Sequence, residues 1–174
     1  VQTVGHIPMD VNDLGVDLLS LSAHKFYGPK GVGCLYVKKG TRIQAYLRGG
    51  GQERRRRAST ENVAGIVGLG KAIEICGRKM AAEVKEQTRL RDKLITEIPK
   101  RINRVYLNGH PTERLPNNVN FSIEYIEGES MLMLLNSQGV AISSGSACTS
   151  RALKASHVLI AMGIPHELAQ GSLL

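Results

Sequence analysis

Lys25 stands between an apolar run, Val16-Asp17-Leu18-Leu19-Ser20-Leu21, and a glycine-proline turn, within Leu21-Ser22-Ala23-His24-Lys25-Phe26-Tyr27-Gly28-Pro29-Lys30-Gly31-Val32-Gly33. An isolated lysine after a strand is ordinarily a solvated surface group. At the end of a buried strand, however, desolvation disfavours the ammonium, and the neutral amine can attack an aldehyde. That is the chemistry of a pyridoxal 5'-phosphate (PLP) Schiff base. Ser22 and His24 precede the lysine by two positions and one, so a chain leaving the strand could aim both at the cofactor phosphate.

A second constellation far along the chain, Ile142-Ser143-Ser144-Gly145-Ser146-Ala147-Cys148-Thr149-Ser150, carries chemistry of a different kind. Small and hydroxyl residues around a glycine favour a solvated loop over a packed element, so Cys148 is presented on a polar arm. Its thiolate would be the working nucleophile if a nearby cation lowers its pKa. Cys34, among strand residues, and Cys76, among helical apolar residues, read instead as small buried hydrophobes.

On these two segments the chain resembles the cysteine desulfurases of the NifS/IscS type, PLP enzymes of the aminotransferase class V group. The lysine motif is matched by Ser22-Ala23-His24-Lys25 with Tyr27-Gly28-Pro29-Lys30-Gly31, and the long cysteine loop by Ser143 to Ser150. Gly49-Gly50-Gly51-Gln52-Glu53-Arg54, Thr60-Glu61-Asn62-Val63 and Glu127-Gly128-Glu129-Ser130 also match, so the resemblance runs over essentially the whole chain. It departs near Arg55 and at Ser59, where the family commonly has glycines, and at Arg151, just past the cysteine loop.

The resemblance implies an α/β chain of the PLP-dependent transferase fold type I (aspartate aminotransferase-like). Residues 1–80 would be the C-terminal part of the large PLP-binding domain, and residues 81–174 a small α/β domain carrying the cysteine loop. It implies conversion of L-cysteine to L-alanine, with Lys25 holding PLP and moving the proton at the substrate Cα, and Cys148 taking the sulfur as a persulfide. Ser22 and His24 would bind the PLP phosphate, Gln2 its phenolic oxygen, and Thr60 the phosphate in the partner subunit of a homodimer. Iron–sulfur scaffold proteins or sulfur carriers for tRNA thiolation are the implied acceptors.

Both ends of the chain read as cut, with the first methionine at Met9 and the last residues Gly171-Ser172-Leu173-Leu174. The family's aspartate against the pyridine nitrogen falls just before Val1, and its carboxylate-binding arginine falls where this chain has Leu174. A polypeptide of these 174 residues by itself is therefore expected to bind PLP weakly and release no alanine.

Other chemistries fit less well. The formal net charge of +8 and the run Arg54-Arg55-Arg56-Arg57 suggest a basic nucleic-acid-binding module as the alternative. Aromatic residues are only 4% of the chain, no Trp is present, and no ring interleaves with the arginine run as single-strand binders require, so a solvated basic face is the default. Gly28 to Gly33 departs from a nucleotide-binding loop because Cys34 stands where a lysine is needed. His6, His24, His110, His157 and His166 are scattered without metal-ligand spacing, so no metal is expected. His110, before Pro111, reads as a turn residue. No long apolar stretch predicts a membrane span, and the absence of a signal-like start or a disulfide framework points to the cytoplasm.

The elements that must position these residues follow from period and punctuation. Strands are predicted at Val16 to Leu21 and Val32 to Val37, on either side of the Lys25 loop. A helix from about Asn62 to Arg78, capped by Thr60 and packed closely through Gly65, Gly68 and Gly70, precedes a second from Ala82 to Ile98, ended by Pro99. Asn118 to Ile123 alternates as a strand, Glu129 to Gln138 reads as a helix closed by Gly139, and Ala155 to Met162 is the final helix.

Overall fold

The computed structural model describes residues 3–143 and 155–174, so the readings placed on Gln2, Cys148 and Arg151 lie outside the described residues. The chain divides into two compact units, Val1–Val84 and Lys85–Leu174.

In the first unit, β1 (Leu18–Ser22) and β2 (Gly33–Val37) form an antiparallel pair, in register from Leu18 opposite Val37 to Ser22 opposite Gly33. A single 3₁₀ turn, Ala23–Phe26, follows β1 directly. Its period of three places Ala23 and Phe26 on one side, where both are buried, and leaves His24 and Lys25 on the other. Leu21, Val32, Leu69 and Cys76 pack around Ala23, Phe26 and Ala72 to complete this core. The strands themselves are less buried than expected: Leu18 and Leu35 are each about half exposed. Cys34, predicted to be buried, is also exposed, because the two-stranded sheet has no covering layer among the described residues over that position.

The two helices expected between residues 62 and 98 are one helix, α1 (Val63–Arg101). Arg78-Lys79-Met80-Ala81-Ala82 contains only strong helix formers, so nothing between them breaks the backbone ladder. Pro99 lies in the last turn, where the missing amide costs one bond near an end and the helix runs on to Arg101. The helix start also differs from the prediction. Asn62 Oδ1, not Thr60, accepts the Gly65 N–H at 3.1 Å.

Ser59, just before that start, adopts φ 98°, and Arg55 adopts φ 62°. A glycine is expected at Ser59 and near Arg55, and a side chain at positive φ is strained by about 1–3 kcal/mol. Ser59→Gly is expected to raise the urea unfolding midpoint, with a net gain of about 1 kcal/mol once the added freedom of the unfolded chain is subtracted. An unchanged or lowered midpoint would show that the loop accommodates serine without strain.

The second unit is built on a three-stranded antiparallel sheet ordered β3 (Val105–Leu107), β4 (Phe121–Ile123), β5 (Ser172–Leu173). The central strand is fully buried: Phe121 and Ile123 face the core with Leu159 and Ala169, while Ser122 accepts from Asn108 Nδ2 at 2.8 Å. Helix α2 (Gly128–Ser137) ends as predicted at Gly139, φ 78°, whose N–H reaches Asn136 O. The predicted last helix is present as α3 (His157–Ala161), but a further short helix, α4 (His166–Gln170), and then β5 follow it. β3, α4 and β5 are short elements that the sequence reading did not assign. His110 is the turn residue expected of it, its Nδ1 accepting the N–H groups of Thr112 and Glu113.

Candidate functional site

The Lys25 segment is fixed from both sides. Ala23 N–H donates to Val32 O at 3.0 Å, and Gly28 N–H returns to Ala23 O at 2.9 Å, closing the 3₁₀ turn. Tyr27 closes it in the left-handed region at φ 65°, with its ring almost fully exposed. Beneath the turn lies α1: a Cβ added at Gly68 would fall 2.5 Å from Pro29 Cγ, and one added at Gly28 would fall 3.1 Å from the Ala72 Cβ. Of the three glycines expected to mediate close packing, Gly68 does so against Pro29, Gly65 meets its own cap Asn62, and Gly70 meets nothing.

This arrangement directs a specific set of groups outward. Ser22 and Lys25 are half-buried and His24 is exposed, and no described residue engages any of the three side chains through a hydrogen bond or ion pair. A hydroxyl, an imidazole and a primary amine within four residues, all uncommitted, make a donor set suited to a phosphate ester beside an aldehyde. The structure thus places Ser22 at the end of β1 and His24 and Lys25 in the turn that follows it. Thr60 is exposed in the loop before α1, with no hydrogen bond to that group. The supporting residues Pro29, Gly68 and Ala72 are the ones sequence reasoning missed or saw only in part; the small residues facing each other were the available signal.

Gly68→Val tests this support. The added bulk must displace Pro29 and with it the turn, at a cost of about 1–3 kcal/mol. The full-length variant is expected to unfold earlier and to retain less PLP after dialysis than the parent. Unchanged retention would mean that α1 does not position the turn.

Cys76 is a poor nucleophile. Its thiol, 3.7 Å from Phe26 O, is pushed up from the usual cysteine value, first by burial and then by the charge of Glu83.

In the second unit the segment leading to the cysteine loop is tied to Leu174, just past β5. Ser143 N–H donates to Leu174 O at 2.8 Å, and Leu174 N–H returns to Ser143 O at 2.7 Å. Where the chain re-enters the described residues, Ser156 lines a cavity of about 320 Å³ together with Asn108, Asn118, Asn120 and Ser172. Arg114 supports that lining by donating to the carbonyls of Asn108, His110 and Asn118.

The chain as a whole is similar to known proteins. Residues 1–164 match the model of the aminotransferase class-V family, and the chain belongs to that family. It has the α/β fold of that family, the PLP-dependent fold type I. Over 99% of its length it is 60% identical to "Cysteine desulfurase IscS" of Dictyoglomus turgidum, and 57% identical to the protein of the same name from Methanosarcina thermophila. It covers 44% and 43% of those proteins, so the chain spans less than half the length of these curated relatives. Among solved structures, a NifS-like protein superposes with a TM-score of 0.87 at 38% identity, covering 99% of this chain and 44% of that one. A NifS-like protein from Rickettsia africae also gives 0.87, at 28% identity, with coverage of 99% and 45%. Among the described residues, no helix is long and apolar enough to cross a membrane.

Proposed function

We propose that the full-length protein containing this chain is a PLP-dependent cysteine desulfurase, which converts L-cysteine to L-alanine and passes the sulfur on as an enzyme persulfide. The observation that carries the reading is the 3₁₀ turn that holds Ser22, His24 and Lys25 outward with no partner of their own. The relatives named as cysteine desulfurases support the choice of substrate.

When bound, PLP supplies an aldehyde for amines and a ring that withdraws electron density from the substrate Cα. Ser22 and His24 donate to its phosphate, and Gln2 to its phenolic oxygen, the last by motif alone. Lys25 would hold the cofactor and would move the proton at the substrate Cα. Cys148 attacks the substrate sulfur: the S–S bond forms, the C–S bond breaks with its electron pair left on the carbon, and protonation there gives alanine. Transfer of the outer sulfur to an acceptor restores the thiol. Iron–sulfur scaffolds or sulfur carriers are the acceptors we assign, in a cytoplasmic homodimer where Thr60 reaches the phosphate of the second subunit. The large and small domains would meet near Met80.

Borohydride reduction of the full-length holoenzyme, followed by peptide mapping, tests the anchor. The pyridoxyl group is expected on Lys25; an adduct on Lys30 or Lys71 would overturn the assignment.

A further inference from the structure

Three segments of the first unit meet at Gly5, Phe26 and Cys76. Gly5 is buried in the turn after Gln2, where the N–H groups of His6 and Ile7 both donate to Thr3 O, at 3.0 and 3.3 Å. Phe26 ends the 3₁₀ turn that carries Lys25 and is itself buried. Cys76 comes from α1, one turn beyond Ala72. Val4 and Cys76 both pack on the core of Ala23, Phe26 and Ala72, so the three segments share one interior.

The contacts at this junction are close. The Cys76 thiol donates to Phe26 O at 3.7 Å, and a Cβ added at Gly5 would fall 3.2 Å from Cys76 Sγ and 3.5 Å from both Cys76 Cβ and Phe26 Cβ. Glycine is favoured at position 5 on two counts, since its φ of 84° also belongs to the left-handed region. One side chain therefore touches both the residue just after Lys25 and the turn that begins just after Gln2. Burial first, and then the charge of Glu83, keep the thiol protonated, so it serves as a hydrogen-bond donor and a filler and not as a sulfur carrier.

Both turns serve the same ring in the function proposed above. Lys25 is assigned to the cofactor aldehyde and Gln2 to the phenolic oxygen, and these two groups stand on neighbouring carbons of PLP. The segments that carry them must keep their separation to a fraction of an ångström for both contacts to form at once. We propose that the junction of Gly5, Phe26 and Cys76 sets this separation, with Cys76 as the positioning residue that fixes the turn after Gln2 against the turn carrying Lys25. The inference rests on the PLP reading of Lys25 and Gln2.

The test is a pH titration of the visible absorbance of the lysine-bound cofactor in the full-length holoenzyme, beside the PLP dissociation constant and the unfolding midpoint of the apoprotein. Cys76→Ala removes the bond to Phe26 and opens space at Gly5. It is expected to move the spectral midpoint upward by about 0.4–1 unit, what one hydrogen bond contributes, because a phenolic oxygen less well met by Gln2 relies more on the proton of the lysine-bound cofactor. PLP binding should weaken about two- to tenfold. Cys76→Ser keeps a donor of nearly the same size and should return both values to the parent's. Gly5→Ala drives its Cβ onto Cys76 Sγ and should also shift the spectral midpoint, and combining it with Cys76→Ala should give less than the sum of the two shifts, as residues in contact do. Should Gly5→Ala not fold, Cys76→Ala and Cys76→Ser decide. An unchanged spectral midpoint in Cys76→Ala with a lowered unfolding midpoint, no recovery in Cys76→Ser, or additive shifts in a folded double variant would overturn the proposal. Borohydride labelling separates the two failures: pyridoxyl on Lys25 with an unmoved midpoint removes only the junction, whereas pyridoxyl on another lysine removes the reading beneath it.

Discussion

Replacing Lys25 by alanine in the full-length protein is expected to abolish alanine formation from L-cysteine, by at least about 10²- to 10⁴-fold from the lost acid–base role alone. Loss of the covalent anchor acts in the same direction. The variant should also lose the visible absorbance of the lysine-bound cofactor, and borohydride should fix no pyridoxyl group. Its fold should survive, because the turn is held by Ala23 and Phe26 on the opposite side and the Lys25 side chain makes no hydrogen bond or ion pair among the described residues. An unfolding midpoint within error of the parent therefore separates a chemical loss from a structural one. Near-parental turnover by a folded Lys25→Ala variant would remove this residue from the mechanism.

Cys148→Ser should separate cofactor binding from sulfur transfer. It is expected to keep the cofactor absorbance and to lose sulfide release and protein-bound persulfide to the limit of detection, because a hydroxyl at neutral pH is a far weaker nucleophile than a thiolate. The structure supplies the competitor that must be tested beside it. Cys34 is exposed on β2 opposite Leu21, whereas Cys76 is half-buried with its thiol pushed up. Cys34→Ser should therefore retain full turnover. A persulfide mapped to Cys34 by mass spectrometry after a single turnover, with activity surviving in Cys148→Ser, would transfer the role to the strand cysteine.

The paired strands, the lysine between them and the helix closed by Gly139 were legible because each has a local cause: β-branched or apolar runs, a glycine-proline turn, and a glycine able to take positive φ. The cap at Asn62 was misread because Ser59, Thr60 and Asn62 are all competent acceptors. Which one caps depends on where the backbone turns helical, and Ser59 at φ 98° leaves that start to Asn62. Helix continuity through Met80 was also missed, since a preference for ending a helix must come from a breaker and none is present there.

For the site, residue types determined the chemistry on their own: an amine, a hydroxyl and an imidazole within four positions, and a cysteine among small polar residues. Tertiary structure alone decided their surroundings. The 3₁₀ period turned Ala23 and Phe26 inward and Lys25 outward, Gly68 and Ala72 on α1 made room for Pro29 and Gly28, and an uncovered strand left Cys34 exposed. The hydrogen bond from Ala58 N–H to Leu47 O, which closes residues 47–58 into a loop, is likewise a contact between distant segments. Residue type is an intrinsic property read from the side chain, whereas burial and proximity depend on contacts between distant segments, and these exist only once the chain has folded.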